Sequence, residues 1–119
     1  MLRSLSIRNY ALIEALDIEF PDGLNIITGE TGAGKSVLLG AISLLSGGKA
    51  DQAVLKRSDK NCVVEGDFGD TILRRVVSPN GRSRCFVNDA PVTIAELEEV
   101  SSHLVDIHTQ HMHLSLIHI

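Results

Sequence analysis

Gly29-Glu30-Thr31-Gly32-Ala33-Gly34-Lys35-Ser36 matches the pattern G-x-x-x-x-G-K-[ST] at every fixed position. Just before it, Leu24-Asn25-Ile26-Ile27-Thr28 is a compact β-prone run that ends at a glycine. Just after it, Val37, Leu38, Ala41, Ile42 and Leu45 recur at spacings of three and four, which places them on one face of a helix. A strand, a glycine-rich loop and a helix are the context this motif requires, so the octapeptide reads as a phosphate cradle. Backbone N–H groups can converge on an anion only if the chain takes unusual dihedrals without Cβ clashes. Gly29, Gly32 and Gly34 provide that freedom, with Glu30, Thr31 and Ala33 completing the loop. The helix then directs roughly +0.5 of an elementary charge at the same anion.

Lys35 supplies a mobile ammonium for the β- and γ-oxygens of a nucleoside triphosphate, and Ser36 places a small hydroxyl where Mg²⁺ bridges those phosphates. The expected ligand is ATP with Mg²⁺. A glycine-rich turn that merely joins strand to helix is the plainer alternative, and the complete octapeptide with both flanks outweighs it.

The chain has 119 residues, 44% hydrophobic and 22% charged, the balance of a globular domain with one modest core. No stretch approaches the roughly 20 apolar residues of a membrane span, and Arg3 and Arg8 interrupt the first ten residues in a way unlike a signal peptide. The expected location is the cytoplasm, with no membrane partner. Cys62 and Cys85 have no CxxC or zinc-type spacing and are expected as reduced thiols packed in strands. The net charge of −4 argues against a small general nucleic-acid binder, which needs surplus Lys and Arg to displace counterions. Arg74, Arg75, Arg82 and Arg84 are the best candidates for a local basic patch. A solvated sheet face is the competing reading of these four.

Elsewhere, two strands are expected around Leu2 to Asn9 and Leu16 to Phe20, the second ending at the turn signal Pro21-Asp22-Gly23. Gly47-Gly48 should stop the helix after the cradle, and Ala50 to Lys60 reads as a loop. Cys62 to Phe68 and Thr71 to Ser78 are β-rich, and Ser78-Pro79-Asn80-Gly81 suits a type I turn with a bulge before a returning strand, Arg82 to Asn88. Thr93-Ile94-Ala95-Glu96 fits a capping box. Ile94, Leu97, Val100 and Leu104 give the helix behind it an apolar face, and Leu104 to His108 then reads as a short strand.

These residues suggest a family. Leu5-Ser6-Ile7-Arg8-Asn9-Tyr10-Ala11-Leu12-Ile13, the run from Gly23 to Ser36, the hairpin Gly81-Arg82-Ser83-Arg84, Val87-Asn88 and Asp106-Ile107-His108-Thr109-Gln110-His111 resemble, in order, the amino-terminal half-head of SMC-like ATPases. The likeness is strongest to their bacterial DNA-repair branch and covers residues 1–113. It implies an α/β fold, a P-loop NTPase head of ABC/SMC-like type, whose amino-terminal lobe joins the P-loop strand and helix to an antiparallel β subsheet.

In that family the His-x-Gln-His segment is the Q-loop, whose glutamine joins the Mg²⁺ shell and helps position the attacking water. Carried over, the role falls on Gln110, so that Lys35 and Gln110 are the expected catalytic residues and Ser36 and Gln110 the Mg²⁺ ligands. A neutral amide oxygen can ligate Mg²⁺ without adding charge, which suits the role. The rival reading of that stretch is a metal tract, since His103, His108, His111 and His113 fall close together, but no cysteine or paired carboxylate completes a ligand set. Leu45-Ser46-Gly47-Gly48-Lys49 mimics the LSGG signature of ABC-type proteins, yet it closes a helix where the signature opens one, so it is read as a helix stop.

The resemblance further implies ATP hydrolysis in a homodimer with nucleotide sandwiched between heads, and action on DNA ends or single strands in double-strand break repair and recombination, at the bacterial nucleoid. An acidic Walker B strand, a true signature motif and a coiled coil lie further along the chain in that family. The piece is therefore expected to be a truncated head with turnover near zero. Leu114-Ser115-Leu116-Ile117-His118-Ile119 departs from the family's continuation and is expected to be a non-native tail. The alternative from another class is a P-loop kinase or small-molecule phosphotransferase. Such enzymes follow the P-loop helix with parallel β-α units, whereas Cys62 to Asn88 reads as antiparallel strands around a tight turn.

Overall fold

Alternation of apolar and polar residues writes most of the architecture. A computed structural model describes residues 2–20, 25–26, 32–50, 54–104 and 117–118. In chain order the elements are β1 (Ser4–Tyr10), β2 (Ile13–Glu19), β3 (Asn25–Ile26), α1 (Gly32–Leu45), β4 (Cys62–Asp67), β5 (Ile72–Val77), β6 (Ser83–Val87), β7 (Ala90–Val92), α2 (Ile94–Leu104) and β8 (Ile117–His118). Six strands form one antiparallel sheet in the order β2-β1-β4-β5-β6-β7, while β3 pairs with β8. In β1, Leu5 and Ile7 are buried and Ser4, Ser6 and Arg8 are not, the pattern of a sheet with one packed face. The packed face carries Leu5, Ile7, Cys62, Val64, Leu73, Val77 and Cys85, and onto it press Ala41, Ile42, Leu44 and Leu45 of α1 and Leu97 of α2.

Gly66 lets α1 come close. A Cβ there would stand 2.8 Å from Leu45 Cδ1, so any larger residue would make the Leu45 side chain shift. At the other end of β1, the Tyr10 hydroxyl occupies the space a side chain on Gly40 of α1 would need.

The local signals behave as their chemistry demands. Gly47 is left-handed at φ 89. Its N–H donates to the Leu44 carbonyl at 3.2 Å and the Gly48 N–H to the Ser43 carbonyl at 2.8 Å, the paired bonds of a Schellman stop. At α2 the capping box closes in both directions. The Thr93 N–H donates to Glu96 Oε1 at 2.9 Å and the Glu96 N–H to Thr93 Oγ1 at 3.1 Å. The β5–β6 turn is closed by Gly81 N–H to the Ser78 carbonyl at 2.9 Å, with Gly81 at φ 85.

Some expectations need correction. Helix α1 begins at Gly32, three residues before Lys35. Leu104 closes α2 instead of opening a strand, and residues 105–108 lie outside the described residues. Ile94 is 40% exposed, because it occupies the first turn of α2, ahead of the point where the helix meets the sheet, leaving Leu97 as the buried anchor. Strand β7 is an additional element. Asn88 and Asp89 both take positive φ, 49 and 67, forming a two-residue turn between Val87 and Ala90, and Pro91 is tolerated because β7 is an edge strand.

The segment read as an irregular loop is anchored. Asn9, left-handed at φ 54 and 6% exposed, accepts from Arg57 N–H at 2.7 Å and donates to the Arg57 and Lys60 carbonyls, both at 3.0 Å. The short polar side chain of Asn makes that backbone conformation tolerable. It turns the end of β1 into a clamp on residues 57–60.

Candidate functional site

The octapeptide read as a phosphate cradle runs into α1. Gly29, Glu30 and Thr31 lie outside the described residues, as does Gln110. Gly32, Ala33, Gly34 and Lys35 form the first turn of α1, and Ser36, one residue further, is exposed. The first N–H groups of a helix have no intrahelical acceptor. The octapeptide therefore places such donors at the helix start. No acidic residue occupies that first turn, so none of the residues described there sets a carboxylate against an incoming phosphate. These N–H donors suit an anion such as a nucleotide phosphate, and the exposed Ser36 hydroxyl oxygen is a ligand type that a hydrated Mg²⁺ accepts. The other end of α1 is the Schellman stop, so Leu45-Ser46-Gly47-Gly48 closes a helix and the signature reading is excluded on position.

The four-arginine patch does not exist as a patch. Arg74 and Arg75 are neighbours on β5 and so point to opposite faces of the sheet. Arg75 is 2% exposed and turned onto the α1 side. Its Nη1 donates to the Leu44 carbonyl at 3.0 Å and to the Gly48 carbonyl, and its Nη2 to Ser83 Oγ at 3.2 Å. Arg74 lies on the outer face, where Nη1 meets Asp89 Oδ1 at 2.7 Å and Glu65 Oε1 at 3.4 Å, over the Phe86 ring at 4.5 Å. The bond that Arg74 donates to Asp89 raises the Arg74 pKa further, and its charge is locally balanced. Arg82 and Arg84 remain exposed on the hairpin and are what is left for a polyanion.

Neither cysteine is in a disulfide and both are buried. Burial pushes the Cys62 thiol up to about 11 and the Cys85 thiol upward as well, so both are inert core groups at neutral pH. Among the described residues no group of three or more His, Cys, Asp or Glu could hold a metal. His108, His111 and His113 lie outside the described residues. No helix among the described residues is long and apolar enough to cross a membrane.

Asn9 and Arg75 escaped sequence reasoning. The alternation Leu73, Arg75, Val77 is a signal that could have found Arg75, because it puts the arginine on the buried face. Nothing local marks Asn9, whose partners are 48 and 51 positions away.

A family model described as an AAA domain matches residues 4–105. DNA repair protein RecN of Xylella fastidiosa (strain 9a5c) is 34% identical, the alignment taking in 98% of this chain and 25% of that protein. The chain thus spans about a quarter of the length of the curated relatives it matches. Among solved structures, an SMC ATPase studied for ATP-driven dimerization and DNA-stimulated activation superposes with a TM-score of 0.69 at 20% identity, over 85% of this chain and 77% of that one. The recombination mediator protein RecF bound to ATP gives 0.67 at 27% identity, over 82% and 30%. The fold is that of the amino-terminal lobe of an SMC- or RecF-type head, an antiparallel sheet with the P-loop helix packed against it.

Proposed function

Because the chain belongs to the AAA domain family, we propose that it is the ATP-binding half-head, over residues 1–113, of an SMC-like ATPase acting in DNA double-strand break repair and recombination. The observation that carries the reading is helix α1. It begins inside a complete phosphate-binding octapeptide, has no acid in its first turn, and is packed on a six-stranded antiparallel sheet. Similarity to RecN proteins supports the repair role.

In this reading the backbone of Gly29 to Gly34 holds the β-phosphate, Lys35 spans the β- and γ-oxygens, and Ser36 and Gln110 hold Mg²⁺. The bound ion would neutralise charge that develops on the phosphates. Lys35 stabilises the same charge from the protein side, and Gln110 orients water at the γ-phosphate. The dimer of heads, the binding of DNA ends or single strands, and a place at the bacterial nucleoid in the cytoplasm belong to the same proposal.

The test is an ATPase assay of the full-length protein with and without DNA ends, beside calorimetric ATP binding by the 119-residue chain. Binding by the chain with turnover near zero, and DNA-dependent turnover by the full-length protein, are expected. A small-molecule phosphate acceptor that supports turnover better than water would favour a kinase instead. The antiparallel β4-β5-β6 strands and the RecN, SMC and RecF likenesses give that alternative no support.

A further inference from the structure

Arg75 stands where β5 should carry an apolar side chain, between Leu73 and Val77 on the packed face. Among the described residues no carboxylate hydrogen-bonds to it. Glu98 of α2, whose Cγ lies against Gly47, attracts it only at longer range. Its Nε is buried without a partner. A buried cation so placed is costly, and an apolar side chain of similar size is often as stable or more so. Filling space therefore does not account for it.

Capping accounts for it only in part, through the Gly48 carbonyl that Arg75 Nη1 bonds. The Leu44 carbonyl already accepts from Gly47, and the Ser43 carbonyl from Gly48, in the Schellman stop. What the guanidinium adds is a directional tie. One planar group reaches Leu44 and Gly48 at the end of α1 and Ser83 at the start of β6. Among the described residues the two Nη1 bonds to Leu44 and Gly48 are the only hydrogen bonds between α1 with its stop and the sheet. The remaining interactions, such as Leu45 over Gly66 and Ala41 and Ile42 in the core, are apolar and non-directional. They resist separation but supply no directional bond along the helix axis. A helix of 14 residues is about 21 Å long and stiff along its axis, so the register at one end sets the register at the other.

We propose that Arg75 is a positioning residue that fixes the axial register of α1 against the sheet and so holds the phosphate-binding start of that helix in its working place. The inference rests on the reading that α1 opens on a phosphate cradle. Catalytic groups misplaced by about 1 Å lose roughly 100-fold in rate, so a slip of a fraction of that distance should cost about tenfold.

The test uses the full-length protein with Arg75→Lys, Arg75→Met and Ser83→Ala, measured well below each melting temperature. Arg75→Lys keeps the cation and loses the fork, and Arg75→Met keeps the length and loses the charge. We expect kcat about tenfold lower in both, with the ATP dissociation constant changed less than about threefold. In Arg75→Met the fall should persist even where the melting temperature equals or exceeds wild type, which a space-filling role would not give. Ser83→Ala, without one leg of the tie, should lie between. Wild-type kcat in a folded Arg75→Met protein, or a loss that tracks the folded fraction alone, overturns the inference. If Arg75→Met does not fold, Arg75→Lys decides by the same criteria. Lys35→Ala is the control for the underlying reading. If it binds ATP like wild type the cradle reading has failed, whereas binding weakened about 10- to 100-fold there beside normal turnover in the Arg75 variants sinks the Arg75 inference alone.

Discussion

Asn9 grips Arg57 on both sides of its backbone, accepting from the N–H at 2.7 Å and donating to the carbonyl at 3.0 Å. A third bond runs to the Lys60 carbonyl at 3.0 Å. The clamp holds the chain between α1 and β4 against the end of β1, where the Lys56 N–H also donates to the Asn9 carbonyl.

Asn9→Ala should therefore destabilise the protein by about 2 kcal/mol, from buried backbone groups left without partners and from a Cβ residue in the left-handed region. Asn9→Gly relieves only the second cost and should recover part of the loss. Urea unfolding checks it, with the midpoint expected to fall at unchanged m-value. Equal midpoints for Asn9→Ala and wild type would show that the clamp contributes nothing.

The capping box gives a prediction in pH. Glu96 has its pKa lowered, chiefly by the bond from the Thr93 backbone N–H and then by the Thr93 hydroxyl. A carboxylate whose folded pKa lies below its unfolded value contributes stability above the unfolded value and loses it as pH falls through the folded one. Glu96→Ala should thus be less stable than wild type at pH 7, and the gap should narrow progressively below about pH 4.5, the ordinary glutamate value. Thermal melts of both proteins from pH 7 to pH 3 measure it. A gap independent of pH would mean that the ionised form of Glu96 plays no part.

Which features were legible follows from the range of the interactions that make them. The octapeptide, the Gly47-Gly48 stop, the Thr93-Glu96 box and the Gly81 bulge are each complete within a few residues, so their chemistry can be read directly. For the arginines, charge alone is misleading. Alternation along β5 separates Arg74 from Arg75, and cross-strand partners, Asp89 and Ser83, decide what each one does. Strand β7 was hidden by Pro91, which discourages a strand assignment unless the strand is known to be an edge. The clamp at Asn9 was out of reach, since it joins residues brought together only by the pairing of β1 with β4.

With Arg74 balanced and Arg75 buried, only Arg82 and Arg84 of the four can meet a polyanion. In the full-length protein, changing both to Ala should make the salt dependence of DNA binding shallower by about 0.9 in log–log slope for each phosphate that is no longer neutralised, and by no more than twice that amount. Binding isotherms across a salt series read this directly. Changing Arg74 to Ala should leave the slope as it is, because its partners Asp89 and Glu65 already hold it. A steeper or unchanged slope in the double variant would return the hairpin to a solvated face.

Lys35 and Gln110 should separate binding from chemistry. In the proposed site Lys35 meets charged oxygens present in both ground and transition state, and bonds to charged groups contribute roughly 1.5–3 kcal/mol. Lys35→Ala should weaken ATP binding by about 10- to 100-fold in calorimetry. Under the same proposal Gln110 would be one neutral ligand on an ion held also by phosphates, Ser36 and water, and so would add little to affinity. Its amide matters when the γ-phosphate departs and the attacking water must be aligned. Gln110→Ala in the full-length protein should then lower kcat well beyond any change in ATP affinity, the pattern of an interaction made chiefly in the transition state. Steady-state kinetics beside equilibrium nucleotide binding distinguish the two variants. Wild-type kcat in Gln110→Ala would remove that residue from the site and leave the phosphate cradle of α1 to stand without it.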